Sequence, residues 1–193
     1  MDRVDLRCLL DEAHLIVEAE SPSAVCACAG SVGTNFLAAI SDPSLRELYH
    51  MIIERVRSSG DSLSFSLRCD TPEFKRLSWV RFRPRSKGAH QFVEVENGTW
   101  NEIPHAVRVT LLDETVARGP EFVIICSWCK QVKLGEGRWG EVEDAMRELQ
   151  LFHRPVMPSL SHGLCPDCAR RVRADFLRQI EASPLTSAPR PSP

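Results

Sequence analysis

Two cysteine pairs constrain this chain more than any other feature: Cys126-Ser-Trp-Cys129 and Cys165-Pro-Asp-Cys168. Each has the C-x-x-C form, in which one tight turn aims both sulfurs at the same point. Two such turns supply four soft thiolates, the tetrahedral donor set of a structural zinc ion, bound at about 2.3 Å per sulfur. Residues 130–164 are long enough for a strand, a turn and a short helix, so the pairs can fold back on each other. The expected metal ligands are therefore Cys126, Cys129, Cys165 and Cys168, and the expected cofactor is structural Zn2+. An ion with four protein ligands has no open position, which makes it structural and not catalytic. Iron would be held by the same four sulfurs, and without metal the pairs are thiols open to oxidation.

The chain has eight cysteines, which in a small exported domain would read as a disulfide framework. The first residues, Met1-Asp-Arg-Val-Asp-Leu, are charged and lack the apolar core of an export signal. No run approaches the length of apolar sequence a membrane span needs. A cytoplasmic location is the expectation, and with it metal rather than disulfides. At 193 residues the chain has room for two small domains. The formal net charge is −2, and basic and acidic residues nearly balance within residues 121–193, so neither part is a polycation drawn to nucleic acid or anionic lipid.

The N-terminal part reads as α+β. Residues 5–10 and 15–19 are short apolar stretches around a turn, consistent with two strands. Residues 21–33 are rich in Ser, Ala and Gly and suggest short helical turns or a loop; a further apolar segment covers 36–40. The strongest signal is a helix over 42–59. Asp42 suits the N-cap, Pro43 the first helical position and Gly60 the C-terminal stop. Leu45, Leu48, Tyr49, Ile52, Ile53 and Val56 make one apolar stripe. Alternation over 62–69, 76–83 and 90–96 predicts a three-strand meander, closed by Asn97-Gly98. The expected organisation is a domain over 1–96, a connector over 97–120 with one strand around 107–112, a four-cysteine module over 121–182, and a disordered proline-rich tail over 183–193. Within the module, a strand is expected at 121–125 and helices at 141–149 and from Pro166 to about residue 183. The apolar stripe of that last helix is Ala169, Val172, Phe176, Leu177 and Ile180.

The helix-plus-meander order, with Leu48-Tyr49 on the helix and Arg68-Cys69-Asp70-x-Pro72 ending the next strand, resembles PAS-like sensor domains. The C-terminal part reads Cys126-Ser-Trp-Cys-Lys-Gln-Val132, then Gly137-Arg-Trp139, then Ser161-His-Gly-Leu-Cys-Pro-Asp-Cys168. That element resembles one found after PAS-like domains in small bacterial proteins of uncharacterised or signalling type, and on some bacterial sensor kinases and response regulators. The resemblance implies a PAS-like antiparallel sheet with one long helix, followed by a zinc-ribbon-like module. Residues 24–30 depart from it, lacking the Asn and aromatic residues usual in the corresponding PAS segment. It brings no firm biochemical activity with it.

The remaining candidates have plainer readings. His162, three residues before Cys165, is a conceivable substitute ligand but more commonly such a residue only hydrogen-bonds near the metal. Trp128 and Trp139 are expected to cover the Cys turns, since so small a module needs large side chains for its core. His50 invites a haem reading, but on a helical wheel it falls about 140° from Leu45, on the solvent side. Cys26-Ala-Cys28 is too tight for a metal turn and reads as buried small residues or a minor redox pair. Arg68 and Asp70 suggest a local ion pair. No nucleophile–base pair or phosphate-cradling loop is evident, so the expectation is not an enzyme. It is a sensory or protein-interaction adaptor, with a protein partner and a small-molecule ligand of the PAS-like domain. The rivals are a zinc-ribbon nucleic-acid binder using Arg170, Arg171, Arg173 and Arg178, and a thiol redox switch.

Overall fold

In the computed structural model, which describes residues 3–21, 32–152 and 154–182, the long helix forms where the sequence placed it. Helix α1 (Pro43–Ser59) starts with the Leu45 amide donating to Asp42 Oδ1 at 2.8 Å. It stops at Gly60, whose φ of 74° lets its N–H reach back to the Val56 carbonyl. Leu45, Leu48, Ile52, Ile53 and Val56 are buried along one side. Cys26, Cys28 and the tail over 183–193 lie outside the described residues.

That buried side rests on a five-stranded antiparallel sheet of β1 (Arg3–Leu10), β2 (Ile16–Glu20), β3 (Leu63–Arg68), β4 (Phe74–Lys87) and β5 (His90–Pro104), in the order β2-β1-β5-β4-β3. Period-two alternation gives the sheet two unlike faces. Cys8, Leu10, Phe65, Val80, Phe82, Val93 and Val95 share one core with α1. On the other face Glu94 is fully buried between Arg7, at 2.5 Å, and Arg85, at 2.7 Å. Burial disfavours the Glu94 charge, but the hydrogen bonds from Arg85 and Arg7 outweigh it and hold its carboxyl below the ordinary value.

Two strand expectations need correction, and one strand has no counterpart in the sequence reading. β5 does not close at Asn97-Gly98 but continues to Pro104, with Gly98 opposite both Trp79 and Val4. Asn97 donates its side-chain amide to the Trp79 carbonyl at 2.9 Å, so this pair is absorbed into the ladder beside a bulge instead of turning the chain. The strand anticipated near 107–112 is instead a 3-10 turn at Thr110–Leu112. A strand over Met157–Gly163, with a proline in it, went unanticipated; it lies at a sheet edge, where proline is tolerated.

The C-terminal part is a four-stranded sheet of β6 (Arg118–Cys126), β7 (Val132–Lys133), β8 (Trp139–Gly140) and β9 (Met157–Gly163), in the order β8-β7-β6-β9. β6 and β9 run parallel. Helices α2 (Val142–Glu148) and α3 (Pro166–Ala182) complete it. Ile125, Val132, Val142, Ala145, Met146 and Leu151 form a second core, joined by Val109 and Leu111 from the stretch read as a connector. The first core is shared: Cys126, Trp128, Cys165, Cys168 and Val172 pack with Leu45, Phe65 and Phe82. The packing therefore does not follow divisions at residues 96 and 121. α3 joins this core through Cys168, Val172 and Phe176, while Leu177 stays 45% exposed.

The free edge of β3 is covered by the C-terminal part. Gln179 of α3 accepts from the Ser64 amide at 3.0 Å and donates to the Ser64 carbonyl at 2.9 Å, as a neighbouring strand would.

Candidate metal centre

The four cysteines come together because β6 and β9 are parallel and in register. Cys126 ends β6 opposite Gly163, the last residue of β9. A side chain at Gly163 would press on Ile124, its Cβ lying 3.1 Å from the Ile124 Cγ2, so the close approach of the two strands suits glycine there. After Cys126 the chain reverses tightly: the Lys130 amide donates to the Cys126 carbonyl at 3.0 Å, and the Cys126 amide to the Gln131 carbonyl at 2.7 Å. Lys130 takes the left-handed conformation, φ 62°, to complete the turn. Cys165 precedes α3, and its carbonyl accepts from the Ala169 amide at 2.9 Å, which puts Cys168 in the first helical turn.

The sulfurs of Cys126, Cys129, Cys165 and Cys168 all lie within 4.8 Å of one another, and none is disulfide-bonded. The Cys129 and Cys165 sulfurs are 3.8 Å apart. Ligands at about 2.3 Å from a tetrahedral ion are separated by ~3.8 Å, so the spacing fits an ion held by four cysteines. Backbone and side-chain donors already face the sulfurs: the Cys165 amide to Cys126, the Cys168 amide to Cys165 and Arg171 Nη2 to Cys168, each at 3.4 Å. Donors of this kind support thiolate charge. The sulfurs of Cys126, Cys129 and Cys168 do not ionise independently. Hydrogen bonds from Cys129 and then Cys168 favour the Cys126 thiolate; the corresponding bonds to Cys126 push the Cys129 thiol up to about 12 and raise Cys168 too. A bound cation is what lets all four ionise together.

Cys126, Cys165 and Cys168 are buried and Cys129 is half-buried. His162 is exposed and outside this group. Trp139 is half-buried against the first core. Trp128 does more than cover the turn. It is fully buried against Phe65 and Tyr49, with ring centroids 5.9 and 6.1 Å away. Its indole N–H donates to the Ser66 carbonyl at 2.8 Å, and its own carbonyl accepts from the Arg68 amide at 2.8 Å. The first Cys turn is thus paired to the edge of β3. Nothing in the local sequence around Trp128 announces that partner.

A second link joins the two parts. Arg68 binds Asp70 at 2.5 Å, the local pair the sequence suggested, and also Glu141 at 2.7 Å. Lys75 binds Glu143 at 2.9 Å, and Glu143 also meets the fully buried His105 ring at 2.9 Å. Burial opposes the Glu143 charge, yet the hydrogen bonds from Lys75 and His105 prevail and hold its carboxyl at about 2. A carboxyl held below its ordinary 4.5 stabilises the fold above that pH, and the contribution is lost as pH falls toward about 2. Urea midpoints should therefore drop less between about pH 6 and about pH 3 in Glu143→Gln than in the parent protein.

An open cleft of about 410 Å3 lies beside the β3–β4 turn, lined in part by Asp70, Glu73, Arg76, Glu102 and Asp113. Several of these charges are engaged: Arg76 with Glu102 at 3.0 Å, and Arg108 with both Glu73 and Asp113 at 2.6 Å.

No family model matches the chain, and no curated protein matches it. Among solved structures, the crystal structure of a sensory box sensor histidine kinase from Vibrio cholerae is similar over 50% of this chain and 82% of its own, at 12% identity and a TM-score of 0.39. A likeness this distant carries no functional argument. No helix among the described residues is long and apolar enough to cross a membrane.

Proposed function

We propose that this chain is a non-catalytic adaptor of the sensory kind, a PAS-like domain joined to a four-cysteine centre that holds structural Zn2+ and acting through a protein partner in the cytoplasm. The observation that carries the reading is Trp128. It sits within the first Cys turn, yet its indole and its carbonyl are both bonded to β3, an edge strand of the five-stranded sheet. The ion would hold the four thiolates in a closed tetrahedron with no position for substrate. This chain's own residues then pass a change in either direction: a shift of β3 moves Trp128, and a loosened Cys turn releases the Ser66 and Arg68 backbone. The antiparallel sheet with α1 against it supports the PAS-like part of the reading.

The arginines of α3 favour a protein over nucleic acid as partner. Of the four, Arg170 pairs with Asp167 at 2.5 Å, Arg178 pairs with Asp175, and Arg171 is turned toward Cys168, while Arg173 is exposed. Binding to nucleic acid would draw on several free cations and fall steeply with salt.

Metal content per chain of freshly purified, reduced protein tests the proposal. One zinc per chain is expected, and one iron would keep the structural role but change the ion. Folded protein without metal would overturn it and leave the thiols as a redox device.

A further inference from the structure

A second group of metal-binding side chains lies far from the cysteines in sequence, where the β1–β2 turn meets α1. His50 and Glu54 are four residues apart on the exposed side of the helix, so they project together. His14 reaches them from the turn. Its backbone is in the left-handed region, φ 61°, and is fixed from both sides. The His14 amide donates to the Asp11 carbonyl at 3.0 Å, and its carbonyl accepts from the Phe36 amide at 2.9 Å. Asp11 Oδ1 also accepts from the Ala13 and Leu15 amides, at 2.9 and 2.8 Å.

The ligand atoms of His14, His50 and Glu54 lie within 4.8 Å of one another. His14 Nε2 is 3.2 Å from Glu54 Oε1. Two ligands at about 2.0–2.1 Å from a tetrahedral ion are separated by ~3.3 Å, so this pair is already at chelating distance. A second observation points the same way. Arg57 Nη1 donates to Glu54 Oε1 at 2.6 Å and lies 3.2 Å from the same His14 Nε2. That nitrogen faces a carboxylate oxygen, which calls for an N–H, and a guanidinium N–H, which calls for a lone pair. Neither neutral tautomer serves both. A cation in place of the guanidinium takes the lone pair and the carboxylate at once.

We propose that His14, His50 and Glu54 form an exchangeable site for a divalent first-row transition ion, which takes Glu54 and His14 Nε2 from Arg57, a side chain also held by the Asp11 carbonyl. Two imidazoles and one carboxylate suit zinc, nickel, cobalt or copper, whereas calcium and magnesium want oxygen ligands throughout. Three protein ligands leave the remaining position to water, unlike the closed set of four cysteines. Occupancy ties the turn at the sheet edge to the helix that covers the sheet. The site rests on residues independent of the cysteines and stands whether or not those hold zinc.

The test is calorimetric titration of tag-free, zinc-replete protein with Ni2+, alongside His14→Asn and His50→Gln. Asparagine tolerates the left-handed backbone at position 14, and His50 is exposed, so both variants should fold. One nickel per chain is expected, with each substitution weakening binding at least about tenfold and excess Mg2+ failing to compete. In NMR spectra, paramagnetic broadening should reach the ring protons of His14 and His50 first. Nickel binding that is absent, or unchanged in both variants, overturns the proposal. A thiolate-to-nickel absorption band that the histidine variants leave untouched would place the metal at the cysteines and overturn it equally.

Discussion

Replacing Cys165 and Cys168 together by serine is expected to remove the bound metal and to destabilise the five-stranded sheet as well as residues 121–182. Structural zinc contributes about 10–16 kcal/mol of apparent binding energy in small modules. A whole domain is stable by only about 5–15 kcal/mol, so the C-terminal part should not survive the loss. The effect on the sheet follows from the shared core. Cys126, Cys165, Cys168 and Trp128 pack with Leu45, Phe65 and Phe82, and β3 takes edge bonds from Trp128 and Gln179. Amide exchange separates the outcomes. Loss of protection at Ser64 and Arg68, whose amides donate to Gln179 and Trp128, is the expected signature. If β3 and β4 keep full protection while residues 121–182 exchange freely, the two parts are independent and the coupling described above is wrong.

The features legible in the sequence are those with local causes. Asp42, Pro43 and Gly60 bound α1 by capping chemistry that needs no tertiary partner, and its stripe shows which side is buried. The four cysteines were legible because C-x-x-C spacing describes a turn, and two turns with matching donors imply one another. What was missed depends on distant pairing. β9 lacks strand-like residues, and only its parallel register with β6 makes it a strand, which in turn brings Gly163 beside Cys126. Asn97-Gly98 reads as a turn locally, but Trp79 and Val4 capture it into two ladders. His50 lies on the solvent side of the helix, as its wheel position predicts, yet its partner His14 comes from another element and the two meet only in three dimensions.

Truncating Trp128 tests the joint itself, without touching a ligand. The indole is 1% exposed, and Phe65 and Tyr49 pack on it. Trp128→Ala should cost about 3–5 kcal/mol, the usual range for deleting a large buried aromatic. Trp128→Phe keeps most of the packing and loses the indole N–H to the Ser66 carbonyl. Ser66 is exposed, so water can replace that donor, and the cost should be nearer ~1 kcal/mol. Urea denaturation followed by far-ultraviolet dichroism gives both values. The sulfur ligands are intact in each variant, so metal content should stay at one per chain while stability falls, most steeply in the alanine variant. A Trp128→Ala protein as stable as its parent would mean that the Cys turn merely rests against β3. The expected large loss with metal retained would mean instead that the sheet depends on the indole as a packed and hydrogen-bonded part of its own edge, so that whatever moves β3 must move the cysteine turn with it.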